Sequence, residues 1–434
     1  MELCEPHKRA LDLMAAEDFP AAEESLQAVC NQDRASWVLK NDLALCRFMR
    51  GDLAAAEDLL DQVLREQPGN SFARINRFYL AAAHKIRTAP APAPRARIRD
   101  VHGDGPPAPL FSVVMPTFNR PASIRESIES VRSQTVAEWE LIVVNDGGGR
   151  EVEAVVAPYL ADRRVRYVYA EHGGLSAARN AGMALARGQF IAQLDDDDIY
   201  YPDHLAAMAA AFRQRPDYRV VYTDFYRAYQ EDRDGEWVTT RRALDYSHEF
   251  SRALLRSGTI APVCNLVHHR EALDTVGYYN ELILRAMDWD YFIRLARRYD
   301  FLHLKKITGE FRQRADRSQM TRSFTIPRNY YRNLVSYLHG FFPLTGARFL
   351  PSPQGPGDRL QRALDRLAAG DRDHFLIQRL ELRKLLLEPY YALFYTLGKR
   401  LADEGHPDRA RAAFRAAAAL RPYEIKSWLK WLRP

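Results

Sequence analysis

The sequence predicts an α/β domain with a parallel sheet, flanked on both sides by all-α regions. Three observations predict it. From Phe111 to about residue 310, apolar runs of strand length alternate with helical patterns, which is the signature of βαβ units. The first 85 or so residues are helical in pattern and repeat internally, and the last stretch carries a similar helical pattern. Two Pro-rich breaks, RTAPAPAPRARIRDVHGDGPPAP (87–109) and FLPSPQGPGD (349–358), separate these regions.

The N-terminal repeat is read by aligning EDFPAAEESLQAV, from Glu17, with GDLAAAEDLLDQV, from Gly51, 34 residues later. Ala22 matches Ala56, Leu26 matches Leu60 and Val29 matches Val63. Small alanines let antiparallel helices approach, and Pro68 closes the second unit. This period and pattern resemble tetratricopeptide repeats. The C-terminal LFYTLGKRLADEGHPDRARAAFRAAAALRP places Leu397, Gly398, Gly405, Ala410, Phe414, Ala417 and Pro422 at matching positions, followed by a capping-helix pattern. So few units bury little against one another, and they are expected to pack on other helices or on the α/β domain. The expected organisation is a repeat-like region at 1–86, a linker at 87–109, an α/β domain at 110–325 and a helical region at 326–434 with a repeat at about 390–423.

Composition sets the outer limits. In 434 residues, 47% are hydrophobic and 27% charged, as in a globular chain, and the net charge of +6 is mild and interleaved. Nucleic-acid binding is not demanded, and a diphosphate or an anionic membrane surface suits the balance equally. Cys4, Cys30, Cys46 and Cys264 form no C-x-x-C pair, so neither a zinc ribbon nor a redox motif is expected. No apolar run is long enough for a membrane span and the N-terminus is too acidic for a signal peptide. The expected location is cytoplasmic, with peripheral contact at the inner membrane face if the acceptor is lipid-linked.

Within the α/β stretch the clearest strands are FSVVMP, WELIVVND, VRYVYA and GQFIAQLD, each ending in a polar or turn-forming cluster. Ligands bind open α/β sheets at the carboxyl ends of strands. The clusters found there, or a few residues on, are Met115–Arg120, Val144–Gly149, Gly173–Gly182 and Gln193–Leu205. An Asp after a strand is commonly a helix cap. Four in a row, Asp195–Asp198, at the mouth of a buried strand repel one another unless a cation offsets them. Hard oxygen ligands at this density suit Mg²⁺ or Mn²⁺, which take few carboxylates plus substrate phosphates.

PTFNR, VVNDGG, LSAARNAG and LDDDDIYYPDHL, in this order, resemble the inverting family 2 glycosyltransferases of the GT-A fold over about half the chain. The resemblance implies a metal-dependent, hexosyltransferase-type enzyme that transfers sugar from a nucleotide sugar. Pro116, Thr117, Phe118, Asn119 and Asp146 would hold base and ribose, and Arg179 would lie beside the nucleotide. In the DXD-type run, Asp197 is the implied metal ligand. Asp195 and Asp196 would lie nearest ribose or a metal-bound water, and Asp195 is a second candidate ligand. The chain has four Asp where the family usually has Asp-x-Asp-Asp, so the register within the run is open by one position.

A later segment, VGYYNELILRAMDWDYFIRLARRY, resembles the family's second acidic motif, with Met287 in place of its first acid. Asp288 is the implied catalytic base and also reads as a helix cap; Asp290, a first-turn acid, is the alternative. Gln313 and Arg314 stand where the family often carries a metal-proximal His. Arg312, Arg314 or Arg317 could contact a diphosphate or form a solvated loop. His268 and His269, and Tyr200, Tyr201, Tyr222 and Tyr226, read as structural groups before substrate contacts. Residues 225–265 are expected to shape the acceptor site.

The expected donor is a UDP-sugar first, then GDP or dTDP. The acceptor would be a hydroxyl in surface polysaccharide, lipopolysaccharide or glycoprotein synthesis, whether glycan, lipid-linked or protein. The helical repeats could bind a protein partner or a second copy. The alternative reading is a non-catalytic repeat scaffold with a degenerate nucleotide-sugar domain.

Overall fold

The computed structural model describes residues 5–32, 36–68, 70–89, 98–103, 106, 108–314 and 334–341. The second linker, the C-terminal repeat with its capping helix, Arg317 and Cys4 lie outside the described residues. The described chain divides into two compact units, one holding residues up to Thr88 with the 334–341 segment, the other running from Ala89 to Arg314.

The first unit holds α1 (Glu5–Ala15), α2 (Phe19–Gln32), α3 (Trp37–Met49), α4 (Leu53–Glu66) and α5 (Ser71–Arg87). α2 and α4 stand 34 positions apart, and Ala22, Leu26, Ala56, Leu60 and Val63 are fully buried. The repeat therefore comes from two helices with the same inward stripe. α4 and α5 start on Asp52 and Asn70, whose side chains accept the N–H groups of Ala55 and Ala73. A polar seam crosses the interior: His7 Nε2 lies 2.9 Å from Asp42 Oδ2, Asn76 donates to Asn41 at 2.7 Å, and the Tyr337 hydroxyl donates to Asn76.

The second unit is a ten-stranded mixed sheet. Its centre is four parallel strands in the order β4 (Val165–Ala170), β3 (Trp139–Asp146), β2 (Phe111–Thr117) and β5 (Phe190–Gln193). Every residue of β2 and β3 is buried, as strands covered on both faces require. The helices α6 (Pro121–Arg132), α7 (Arg150–Val156), α8 (Leu175–Leu185) and α9 (His204–Gln214) alternate with the strands. α8 lies so close to the sheet that a Cβ on Gly182 would fall 2.4 Å from Val114 Cγ1.

Beyond β5 the sheet departs from the expected parallel order. β9 (Leu266–His269) runs antiparallel to both β5 and β7 (Val220–Arg233). β7 pairs in parallel with β10 (Phe301–Arg314) and forms a hairpin with β8 (Glu236–Tyr246). The two-residue β6 (Ile199–Tyr200) pairs antiparallel with β10. At the far edge β1 (Ile98–His102) pairs antiparallel with β4, so the Pro/Ala-rich stretch read as linker contains a strand. Its alternating polar sequence, IRDVH, suits an edge. Residues 225–265 are mostly this β7–β8 ribbon, followed by α10 (Arg252–Ser257); α11 (Ala272–Val276) and α12 (Met287–Ala296) precede β10.

Candidate active site

The carboxyl ends of β2, β3, β4 and β5 lie along one edge of the sheet, and their loops are tied to one another. After β2, Asn119 takes a left-handed backbone (φ 53°), which Asn tolerates better than most residues. Its Oδ1 accepts the Gly149 N–H at 2.8 Å, joining the β2 loop to the β3 loop. Gly148 is required there: a Cβ would meet Asn119 Oδ1 and Asn145 Oδ1 at 2.8 Å each. Asp146 accepts the N–H groups of Gly173 and Gly174 at 2.8 and 2.9 Å, fixing the start of α8. Both oxygens of Asp146 thus hold backbone, and burial still raises its pKa. Pro116 and Thr117 are buried at the end of β2, while Phe118 is 43% exposed and stacks on His172 with ring centroids 4.5 Å apart. No local pattern reveals this exposed aromatic pair, because two strands lie between Phe118 and His172 in the chain.

After β5 the chain turns through Asp195–Asp198, with the Asp198 N–H donating to the Asp195 carbonyl at 3.1 Å. Each carboxylate has a different setting. Asp195 is the most open, its side chain 29% exposed, and accepts Arg179 Nη2 at 2.6 Å. Asp196 and Asp197 are buried and share Arg120, whose Nη1 lies 3.2 Å from Asp196 Oδ1 and 2.9 Å from Asp197 Oδ2. Burial and the neighbouring Asp197 push Asp196 up to about 7. Asp198 is buried and accepts the Arg312 backbone N–H at 2.9 Å, while Ser127 donates to its carbonyl at 2.7 Å. It fastens the turn to β10 and α6.

The ARN segment of α8 has a two-sided role. Arg179 faces Asp195 with its guanidinium 5.5 Å from the Tyr279 ring centroid. Burial opposes its charge, yet Asp195, Tyr279 and Asp288 together hold its pKa above the ordinary value. Asn180 donates to the Tyr279 carbonyl at 2.9 Å and accepts the Tyr279 N–H at 2.8 Å, pinning the segment that leads into α12.

α12 starts after Ala286, which is held in the left-handed region (φ 58°), a conformation costing about 1–2 kcal/mol for a residue with a side chain. Ala286 takes the capping position, so Asp288 lies in the first turn rather than at the cap expected for it. Its Oδ1 accepts the Trp289 N–H at 2.9 Å, and the side chain is half-buried. Burial raises its pKa, Arg179 lowers it and Asp195 raises it further. Asp290 is spoken for. It is buried and bound to Arg294, with contacts at 3.0 and 3.1 Å, and Arg294 also holds the Val276 and Tyr278 carbonyls.

The remaining candidates make contacts within the fold. His268 is buried, contacts the Tyr291 hydroxyl at 3.1 Å and is lowered to about 4 by burial. His269 packs edge-on to Phe190 and Phe212. Tyr200 stacks on His204, Tyr222 stacks on His303, and Tyr201 donates to Glu310 at 2.9 Å. Arg312 pairs with Glu126 at 2.5 Å, and Arg314 lies over Trp237 at 4.9 Å. Gln313 accepts from Arg227 at 3.3 Å.

Comparison with known proteins meets this geometry. The Glycosyl transferase family 2 model matches residues 112–277, and a tetratricopeptide repeat model matches residues 13–75. The glycosyltransferase YwdF of Bacillus subtilis is 31% identical over 191 residues, covering 44% of this chain and 69% of YwdF. The chain belongs to glycosyl transferase family 2. This family 2 chain is also 32% identical over 201 residues to a chondroitin synthase of Pasteurella multocida, covering 46% of this chain and 20% of that protein. It spans between 20% and 28% of the length of the first four curated relatives it matches. S. aureus TarS 1-349 in complex with UDP-GlcNAc aligns with a TM-score of 0.42 and 17% identity, over 74% of this family 2 chain and 89% of TarS 1-349. Among the described residues, no helix of the family 2 chain is long and apolar enough to cross a membrane.

Proposed function

We propose that the chain is a metal-dependent inverting glycosyltransferase that transfers a sugar from a nucleotide-diphosphate sugar to an acceptor hydroxyl. One observation carries the reading: at the strand ends Arg179 pairs with Asp195 of the acidic turn and lies over Tyr279, whose ring stacks on Tyr291 of α12, the helix that carries Asp288. Pro116, Thr117, Phe118, Asn119 and Asp146 form or brace the wall assigned to base and ribose, with Asp195 and Asp196 toward the ribose. Asp146 acts there by fixing the 172–174 loop, because backbone amides occupy its oxygens.

The acidic turn fits Mg²⁺ or Mn²⁺. Its donors are all hard carboxylate oxygens, and Asp195 is partly open to solvent. Among the described residues no group of three or more His, Cys, Asp or Glu side chains converges on one point. Mg²⁺ and Mn²⁺ are commonly held by one or two carboxylates and completed by substrate phosphates. Asp197 and Asp195 are the proposed ligands. When bound, the cation supplies Lewis-acid neutralisation of the departing diphosphate.

Asp288 takes the proton of the acceptor hydroxyl as that oxygen attacks the anomeric carbon. The bond from that carbon to the diphosphate oxygen breaks, and the nucleoside diphosphate leaves with the electron pair. A single in-line displacement inverts the configuration. UDP is the first carrier to test, with GDP and dTDP next. The identity to a chondroitin synthase supports a glycan acceptor, in surface polysaccharide or lipopolysaccharide synthesis; lipid-linked and protein acceptors are the other classes. The tetratricopeptide-like helices would recruit a protein partner or a second copy, at the cytoplasmic membrane face. A panel of UDP-, GDP- and dTDP-sugars, assayed for donor hydrolysis and transfer with Mn²⁺ and with EDTA, tests the reading. Turnover of one donor that EDTA abolishes is expected. No turnover of any donor would favour a non-catalytic repeat scaffold.

A further inference from the structure

The acidic turn already carries a cation that belongs to the chain. Arg120 sits at the capping position of α6, directly after the β2 loop, and reaches across to the β5 loop. One nitrogen, Nη1, bridges Asp196 Oδ1 at 3.2 Å and Asp197 Oδ2 at 2.9 Å. The two carboxylates are 5% and 8% exposed, while the Arg120 side chain is 27% exposed, so the guanidinium spans the boundary between interior and water. Arg179 neutralises Asp195 from the other side. These two arginines offset the charge of a run of carboxylates packed together.

This arrangement conflicts with the cation site proposed above, on which the present inference rests. Arg120 holds one of the two Asp197 oxygens, so a divalent ion bound to Asp197 would stand beside the guanidinium, and two cations that close repel. The conflict disappears if the guanidinium moves when the ion arrives with the donor. An arginine presents five N–H donors in a planar fork, matched to phosphate oxygens, and a partly exposed side chain has room to turn. We propose that Arg120 is the resident counter-ion of the acidic turn: it holds Asp196 and Asp197 before the donor binds, yields them to the metal ion, and passes to the donor's diphosphate. Metal alone then competes with Arg120, whereas metal and diphosphate together repay its displacement. Binding of the two is coupled through one side chain.

Calorimetry on the full chain tests this with Mn²⁺ alone, and with the best-bound of UDP, GDP and dTDP at saturating Mn²⁺. For Arg120→Gln, Mn²⁺ alone should bind more tightly than to wild type, and the nucleotide more weakly. Each change should be about tenfold to a hundredfold, the span carried by a charged hydrogen bond. Thermal melting adds a readout independent of turnover: Arg120→Gln should melt lower than wild type without Mn²⁺ and recover when Mn²⁺ is added. Weaker binding of both ligands, or no change in either, while wild type binds normally, would overturn the counter-ion role. Wild type binding neither ligand would instead remove the nucleotide-site reading, and this inference with it. If Arg120→Gln does not fold, Arg120→Lys keeps the charge but not the fork. It should keep weak Mn²⁺ binding and lose nucleotide affinity, and unchanged nucleotide affinity would overturn the role.

Discussion

Asp288→Asn should remove nearly all sugar transfer while leaving donor binding close to that of wild type. A positioned general base contributes about 10²–10⁴-fold, and the amide cannot take the acceptor's proton. The substitution is nearly isosteric, and its carbonyl oxygen can still accept the Trp289 N–H. Burial raises the Asp288 pKa. The base works only when ionised, so transfer should fall as pH drops, along a limb above the ordinary aspartate value of about 3.9. The same shift fixes the sign of the stability effect. A carboxylate whose pKa is raised on folding destabilises the fold at neutral pH, and this penalty fades as it protonates. Asp288→Asn should therefore melt at the same temperature as wild type or higher. Asp290→Asn provides the contrast: it breaks the buried pair with Arg294 and should lower the melting temperature. Single-turnover rates, donor affinity and thermal melts on the two variants check all of this. Equal loss of transfer and donor affinity in Asp288→Asn would remove Asp288 as the base.

Arg179→Met should strike both stability and pH dependence. Arg179 is 2% exposed and neutralises Asp195 at 2.6 Å. Breaking a buried pair from one side costs about 3–5 kcal/mol. The low end applies here, because the partly open Asp195 can turn toward water. Arg179 also holds the Asp288 pKa down against burial and Asp195. Its loss should move the acidic limb of the transfer profile to higher pH. Urea denaturation reads the first effect and a pH–rate profile on the residual activity reads the second. Destabilisation with an unmoved limb would make Arg179 a structural residue alone.

The parts of the fold legible in the sequence are those buried on both faces. FSVVMP, WELIVVND, VRYVYA and GQFIAQLD are apolar runs because helices cover both sides of the central strands, and they emerge as β2, β3, β4 and β5. Strands away from that centre carry weaker signals. β1 is a polar edge, β6 has two residues, and β10 opens with the partly exposed FLHLKKI. Their pairing directions depend on contacts across the sheet, which no local pattern encodes, so the sequence predicts a parallel sheet where the structure has a mixed one. The Ala22/Ala56 and Leu26/Leu60 matches were readable because a 34-residue period imposes the same inward stripe twice.

The candidate site divides the same way. Motif order along one sheet edge made the acidic run, the VND turn and the ARN segment visible. The geometry adds their division of labour: Asp146 braces a loop, Asp198 anchors a turn and Asp290 serves Arg294. The last was within reach of the sequence, since Asp290 and Arg294 stand four apart on one helix. The Arg120 bridge was not, because its partners lie more than 70 residues away.

Calorimetric titration of UDP, GDP and dTDP, each with and without Mn²⁺, into wild type and Asp197→Ala decides whether the acidic turn holds a metal-dependent donor site. One nucleotide should bind wild type tightly, binding should require Mn²⁺, and Asp197→Ala should lose it. Binding of none of them, or binding indifferent to both Mn²⁺ and Asp197, would contradict a metal-dependent donor site at the acidic turn.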